Sequence, residues 1–172
     1  NYLSMPTDCP QRDERMGWLG DRAEESKGEM YIFDASTIYS KVLQDVQESQ
    51  LEDGNVSDVC PAYWRFYGTN VTWPSLQILV PRNLAMIYGD EKPIAKHYES
   101  RKAWLAHLMT FLEEDGTISK DNYGDWCVPP ERADLIHSED PARQTNRNLL
   151  ATAYLINDVN IQAKYAEKLG RD

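Results

Sequence analysis

Residues 72–88 have the sequence TWPSLQILVPRNLAMIY, in which Arg82 is the only charged side chain. Pro74 is placed for the first turn of a helix, where a missing amide hydrogen is tolerated, and Gly89 follows the last turn. A helix that is apolar on most sides is usually buried between other helices. The stretch therefore predicts a buried helix over 72–88, with a kink or a local break at Pro81.

The segments on both sides of this stretch predict further helices. Residues 34–50 and 92–114 each carry an apolar stripe at helical spacing, with charged side chains on the other face. Asp140 and Pro141 are typical of the N-cap and first position of a helix, which we expect over 142–169 in one or two pieces. No segment alternates with period two over the length of a strand, so the predicted fold class is all-α. A nearly uncharged helix followed by an amphipathic one suggests alternating inner and outer helices.

The composition excludes several classes of protein. The 28 acidic and 18 basic residues leave a formal charge of −10, which repels phosphate, so we expect no nucleic-acid partner. No run of about 18 apolar residues is present, so we expect no membrane partner either. Three widely spaced cysteines and isolated histidines match neither a disulfide framework nor a zinc site, and no metal or cofactor is expected.

A dense polar cluster precedes the first predicted helix. Residues 8–21, DCPQRDERMGWLGD, contain four carboxylates, two arginines and a tryptophan, interrupted by proline and glycine. Close carboxylates raise the pKa of at least one of them, and a carboxyl group kept protonated near neutral pH can act as a general acid. The remaining carboxylates can accept hydrogen bonds from sugar hydroxyls. The alternative is an exposed, solvated run of charges at the entry to a helix.

The run over residues 7–21 resembles the signature of the α-L-rhamnosidases of glycoside hydrolase family 78. Further similar residues lie at 53–59, at Trp73, at 88–90 and at 124–126. The resemblance implies a catalytic domain that is an (α/α)6 barrel of inner and outer helices. Since that barrel has twelve helices and this chain predicts four to six, we expect residues 1–172 to be the N-terminal half of the domain. The remainder of the barrel and any β domains are expected to be absent, and the 72–88 helix is expected to expose apolar surface.

The resemblance also implies roles for individual residues. Glu14 corresponds to the general acid that protonates the glycosidic oxygen, and Asp13 beside it is interpreted as a supporting charge. The polar residues implied to hold the rhamnose hydroxyls are Asp8, Arg12 and Asp21. The aromatic residues implied to wall the apolar face and methyl group of the sugar are Trp18, Trp73 and Trp126.

The implied reaction is hydrolysis of terminal non-reducing α-L-rhamnosyl residues with inversion, on a rhamnose-containing glycoside or polysaccharide. An inverting enzyme needs a second carboxylate about 6.5–9.5 Å from the acid, and in this family it lies in the later half of the barrel. The 172 residues alone are therefore expected to be inactive. Two alternatives stay open: another (α/α)6 glycosidase with a different sugar specificity, and a non-catalytic carbohydrate-binding helical module. Homo-oligomerisation and the compartment (cytoplasmic, periplasmic or secreted) also stay open.

Overall fold

The computed structural model describes residues 16–125 and 127–171. Six α-helices form its framework: α1 (Leu19–Ile32), α2 (Ser36–Ser49), α3 (Leu76–Tyr88), α4 (Lys92–Lys96), α5 (Tyr98–Met109) and α6 (Arg147–Leu169). Within these described ranges the only β-type pairings are two isolated bridges, so the all-α prediction is confirmed. No helix in the same part of the chain is long and apolar enough to cross a membrane.

Helices α1 and α3 lie side by side and run parallel. Gly20 at the start of α1 contacts Trp73 just before α3, and further along, the Asn83 side-chain amide donates to Ser26 Oγ at 3.0 Å. At the far end, the hydroxyl of Tyr88 lies 2.9 Å from the carbonyl oxygen of Met30. These contacts advance in the same direction along both helices.

Helix α6 is a third member of this parallel set. The Ser75 hydroxyl before α3 bonds to the Asp158 carboxyl group, and the Tyr165 hydroxyl donates to the carbonyl oxygen of Ile78 at 2.8 Å. Helix α2 packs against α3 and α5 packs against α6, and His97 before α5 lies 2.6 Å from Gln47 near the end of α2. The predicted alternation of inner and outer helices is therefore confirmed, with α1, α3 and α6 inside.

Helix α3 is the centre of the hydrophobic core. Eight of its thirteen residues are buried, and Met86 is its only exposed large apolar side chain. The expectation that this helix would expose apolar surface is wrong, because α1 and α6 cover it. Leu149 and Ile156 of α6 are exposed instead, at 63% and 58%. Pro81 lies inside α3 without ending it, so the predicted local break is absent.

Helix α1 was not predicted from the sequence. Its six buried residues include Leu19, Ala23, Ser26 and Met30, which lie at i, i+4, i+7 and i+11. Six of its fourteen residues are charged, and Ser26 takes a core position, so the apolar stripe is short and interrupted. Its N-cap residue Trp18 makes no side-chain capping bond, which removes another recognisable signal.

The single helix predicted over 92–114 is two helices that meet at His97. At this junction the buried Arg101 donates to the carbonyl oxygens of Pro93 and Ile94, and to Gln162 of α6 at 3.0 Å. The second helix ends at Met109, and residues 112–118 then form a turn closed by the Leu112–Ile118 bridge, in which Gly116 has a φ of +80°. The bonds of Arg101 link α4 and α5 to α6.

His97 is buried at this junction. Its Nδ1 lies 2.6 Å from Gln47 Oε1 of α2. Burial lowers the pKa of the imidazole to about 4. A neutral imidazole can join the outer helices without placing a charge in the core.

The predicted C-terminal helix is present in two pieces. A short 3₁₀ turn, Pro141–Arg143, begins at Asp140, whose carboxylate accepts from the Ala142 amide at 2.9 Å. Helix α6 follows with Asn146 as its N-cap and ends at Gly170 in the left-handed conformation, as predicted.

Candidate functional site

A cleft of about 220 Å³ opens where α1 and α3 begin. The residues that line it are Gly20, Asp21, Glu24, Glu25, Thr72, Trp73 and Tyr154. Three carboxylates of α1 thus face an indole from the turn before α3 and a phenol from α6. The parallel course of the three inner helices brings these side chains to one end of the molecule.

Gly20 allows Trp73 to lie directly on α1. A Cβ atom at Gly20 would lie 2.3 Å from Trp73 Cδ2 and 2.4 Å from Cε2, the two atoms that fuse the indole rings. Contact with the fusion bond means that the backbone of α1 covers a face of the indole. Any larger residue at this position would push the indole away.

Tyr123 covers the other face of this indole. The two rings stack with centroids 4.1 Å apart and an interplanar angle of 17°. Tyr123 also meets Trp18 edge to face at 6.1 Å, and Trp18 stacks on Phe66 at 5.5 Å. Four aromatic rings therefore form a continuous row, in which Trp73 is held between Gly20 and Tyr123 and presents an edge to the cleft.

A buried carboxyl group lies behind this aromatic row. Asp58 Oδ2 accepts a hydrogen bond from the Tyr123 hydroxyl at 2.9 Å and another from Asn70 Nδ2 at 2.7 Å. Burial raises the pKa of Asp58 to about 7, although both hydrogen bonds act in the opposite direction. Asp58 is therefore a titratable group close to neutrality, directly behind the site.

A second carboxylate organises the loop that carries Tyr123. Asp121 accepts from the Thr72 amide at 2.9 Å and from the Thr72 hydroxyl at 3.1 Å. It also accepts from the backbone amides of Tyr123 at 2.9 Å and Gly124 at 3.2 Å. This carboxylate joins the loop to the segment that carries Trp73.

The far side of the cleft is formed by α6. The Tyr154 hydroxyl donates to Glu24 Oε1 at 2.6 Å, which links α6 to α1 across the opening. Burial and the adjacent Glu24 raise the pKa of this phenol, so it stays protonated and remains a donor. On the same turn of α1, Arg22 is buried and pairs with Glu25 and Glu29.

The described residues include three of the predicted site residues. Asp21 and Trp73 line the cleft together, and Trp18 is joined to Trp73 through the ring of Tyr123. The other predicted site residues lie outside the described ranges; they are Asp8, Arg12, Asp13, Glu14 and Trp126. Their roles stay predictions.

Several residues of this site were not among those predicted from the sequence. Glu24 and Tyr154 belong to helices whose positions relative to each other no local pattern specifies. Tyr123 lies in the run Asn122-Tyr123-Gly124-Asp125, whose density of turn residues and aromatics was the available signal. Asp58 belongs to the segment 53–59 that the resemblance covers, but nothing in the local sequence indicates that its carboxyl group contacts Tyr123.

The lining of the cleft is suited to a polyhydroxylated ligand. Carboxylates accept hydrogen bonds from hydroxyl groups, and aromatic side chains contact C–H surfaces. Over 16–125 and 127–171, no group of three or more histidine, cysteine, aspartate or glutamate side chains is arranged to hold a metal ion.

The whole sequence, residues 1–172, matches the bacterial alpha-L-rhamnosidase 6 hairpin glycosidase domain. An alpha-L-rhamnosidase of Streptomyces avermitilis is 32% identical over 173 residues, covering 100% of this chain and 15% of that protein. One from Alteromonas sp. is 32% identical over 170 residues, covering 99% of this chain and 18% of that protein. The chain thus spans less than a fifth of the length of these curated relatives.

Solved structures have the same fold. An alpha-L-rhamnosidase from Dictyoglumus thermophilum superposes with a TM-score of 0.87 at 37% identity, covering 99% of this chain and 18% of that one. The Streptomyces avermitilis enzyme, solved in complex with L-rhamnose, gives a TM-score of 0.86 at 31% identity, with coverages of 100% and 16%. The described helices are accordingly part of an (α/α)6 barrel, and the chain belongs to the bacterial alpha-L-rhamnosidase six-hairpin glycosidase family.

Proposed function

We propose that this chain contributes the general acid and part of the sugar-binding surface of an α-L-rhamnosidase. In this proposal residues 1–172 are the N-terminal half of the catalytic domain. The reaction is hydrolysis of terminal non-reducing α-L-rhamnosyl residues from a glycoside or polysaccharide, with inversion at the anomeric carbon.

The cleft between α1, α3 and α6 is the observation that carries the proposal. Asp21 faces the cleft from the first turn of α1, beside Glu24 and opposite Tyr154. These groups can accept hydrogen bonds from the hydroxyls of one sugar ring. The indole edge of Trp73 and the ring of Tyr154 supply apolar contact for its C–H and methyl groups.

In the proposed mechanism Glu14 donates a proton to the glycosidic oxygen as the sugar leaves. Asp8, Arg12 and Asp21 hold the hydroxyls, Trp18, Trp73 and Trp126 form the walls, and Asp13 is a supporting charge. Negative carboxylates around the ring favour the oxocarbenium-like transition state. A carboxylate contributed by the later half of the barrel activates the attacking water from the opposite face.

The decisive experiment is Glu14→Gln in the complete six-hairpin domain. General acid catalysis is worth about 10²–10⁴-fold, so kcat should fall by that factor on a rhamnoside with a poor leaving group. The loss should be much smaller on an activated aryl rhamnoside, whose departing oxygen needs little protonation. The basic limb of the pH profile should also flatten, since it reports loss of the proton from the acid.

Two further variants make the experiment specific. Glu52→Gln changes an exposed glutamate outside the cleft and should leave both rates unchanged. Asp21→Asn should weaken binding of good and poor substrates alike, because its proposed role is to hold hydroxyls. Wild-type turnover of the poor substrate by Glu14→Gln would remove Glu14 from the mechanism. A preference for another glycoside in a panel of aryl glycosides would favour a different sugar specificity.

A further inference from the structure

Asp58 makes contacts that the proposed reaction does not require. Its side chain is 2% exposed and lies behind the aromatic row, away from the residues that line the cleft. Its Oδ2 accepts from Tyr123 and Asn70, whereas its Oδ1 is buried without a hydrogen-bond partner among the described residues. Burying a carboxyl group with one oxygen unsatisfied is costly, and burial raises its pKa to about 7. A specific role for the Asp58 carboxyl group would explain why the protein tolerates the free-energy cost of burying it.

The backbone of the Tyr123 loop, residues 121–124, is held directly by Asp121 and Asn70, and Asp58 supports it only through its bond to Asn70. Asp121 accepts from the backbone amides of Tyr123 and Gly124. The Asn122 amide donates to Asn70 Oδ1 at 2.7 Å. The bond from the Tyr123 hydroxyl to Asp58 therefore acts on the side chain, by fixing the angle of the phenol ring.

The angle of that ring determines where Trp73 lies. The indole is confined between the backbone at Gly20 and the ring of Tyr123, with 4.1 Å between the stacked centroids. Gly20 belongs to α1 and cannot move independently of the core, so Tyr123 is the adjustable side of this arrangement. A rotation of the phenol would release the indole edge from the wall of the cleft.

We propose that Asp58 is a positioning residue for the sugar site: by holding the Tyr123 hydroxyl, it fixes the Tyr123 ring against Trp73 and so sets the wall of the cleft. The assignment of a sugar to the cleft rests on the proposed function. Asp58 itself touches no substrate and acts through Tyr123.

The test is Tyr123→Phe in the complete six-hairpin domain, because it keeps the stacked ring and removes only the hydroxyl. We expect KM for an aryl rhamnoside to rise roughly tenfold, as the loss of one fixed contact predicts, with kcat within about twofold of wild type. Asp58→Ala should raise KM similarly, whereas Asp58→Asn keeps an oxygen that can accept from Tyr123 and should largely restore it. Tyr67→Phe is the matched control: it removes the hydroxyl that donates to the Ser49 carbonyl oxygen at 2.6 Å, away from the cleft, and should not change KM.

A second measurement follows Trp73 directly. In protein labelled with 5-fluorotryptophan, the ¹⁹F resonance of Trp73, identified by its loss in Trp73→Phe, should shift or broaden in Tyr123→Phe and Asp58→Ala. It should stay in place in Tyr67→Phe. An unchanged resonance in the first two variants would overturn the proposal, and so would an unchanged KM in an active rhamnosidase whose resonance shifts.

The two proposals fail in distinguishable ways. A wild-type protein that neither hydrolyses nor binds rhamnosides would overturn the proposed function. The Trp73 resonance does not depend on the identity of the sugar, so it would still decide whether Asp58 positions the wall of the cleft.

Discussion

Helices α1 and α3 are parallel neighbours in the inner layer, yet their compositions are opposite. Helix α3 has one charged residue and buries eight of thirteen side chains, whereas α1 has six charged residues and buries six of fourteen. Helix α3 is enclosed by α1, α2 and α6. Helix α1 directs Asp21, Glu24 and Glu25 into the cleft. A position in the inner layer therefore does not require an apolar sequence where one side of the helix belongs to the site.

The largest predicted effect concerns the pH dependence of stability, and it contrasts the carboxylates of α1 with a buried carboxyl group of α6 that packs at the start of α3. The carboxylates of α1 that line the cleft are half-buried or exposed, but Asp158, which contacts the turn before α3, is fully buried, and burial raises its pKa to about 8. Because the folded state then keeps a proton that the unfolded state releases above about pH 4, the contribution of Asp158 to stability should fall as pH rises from about 4 to 8. The slope is on the order of 1 kcal/mol per pH unit.

Asp158→Asn mimics the protonated group and should remove the part of the slope that Asp158 contributes, as measured by urea unfolding at a series of pH values. The loss should be clearest between pH 7 and 8, above the pKa of about 7 of another buried acid, Asp58. Glu24→Gln, which changes an exposed carboxylate of α1, is the control and should leave the slope unchanged. A slope that is unchanged between pH 7 and 8 in Asp158→Asn would show that Asp158 is already ionised in the folded protein.

The second prediction compares matched core leucines. Leu19 of α1 is 1% exposed and Leu84 of α3 is fully buried, so truncating either side chain leaves a cavity. Leu19→Ala and Leu84→Ala should each lower the free energy of unfolding by about 2–5 kcal/mol. If Leu19→Ala costs less than about 1 kcal/mol while Leu84→Ala keeps its full effect, α1 contributes less to the packed core than α3 does.

The smallest predicted effects are the changes in stability when either of the two glycines of α1 is replaced by alanine, and they have opposite signs. A Cβ at Gly20 would overlap Trp73, so Gly20→Ala should cost about 1–3 kcal/mol and raise KM, because the indole must move. A Cβ at Gly28 would meet nothing within 4 Å, and Gly28→Ala should stabilise the protein by about 0.5–1 kcal/mol. Urea unfolding of both variants checks the signs, and equal effects would contradict the contact between α1 and Trp73.

The parts of the fold that were predictable are those in which periodicity and burial coincide. The buried stripe of α2, Tyr39, Val42, Leu43 and Val46, follows the helical period, and α3 is apolar enough to be identified as an inner helix. Helix α1 was not predictable in this way, because Ser26 and Gly20 occupy positions where the pattern requires apolar residues. Its stability comes from partners more than 40 residues away, Trp73 and Asn83.

Residues of the candidate site also differ in whether a local sequence signal or only a long-range contact identifies them. The local clustering of acids pointed to Asp21, and the resemblance added Trp73, which lies in the same cleft. Tyr154 and Asp58 could not be identified, because each acts through one long-range contact, to Glu24 and to Tyr123 respectively. Such contacts depend on how helices pack and leave no periodic mark on the chain.

The parallel arrangement of α1 and α3 also affects how the chain is made. The hydroxyl of Tyr88 bonds to backbone groups at Met30, Phe33 and Ala35, more than 50 residues earlier. At 5–20 residues per second, a ribosome needs roughly 3–11 seconds to proceed from the end of α1 to Tyr88. During that interval the apolar face of α1, including Leu19 and Met30, is without the helix that buries it, which makes the nascent first hairpin a natural client for a chaperone.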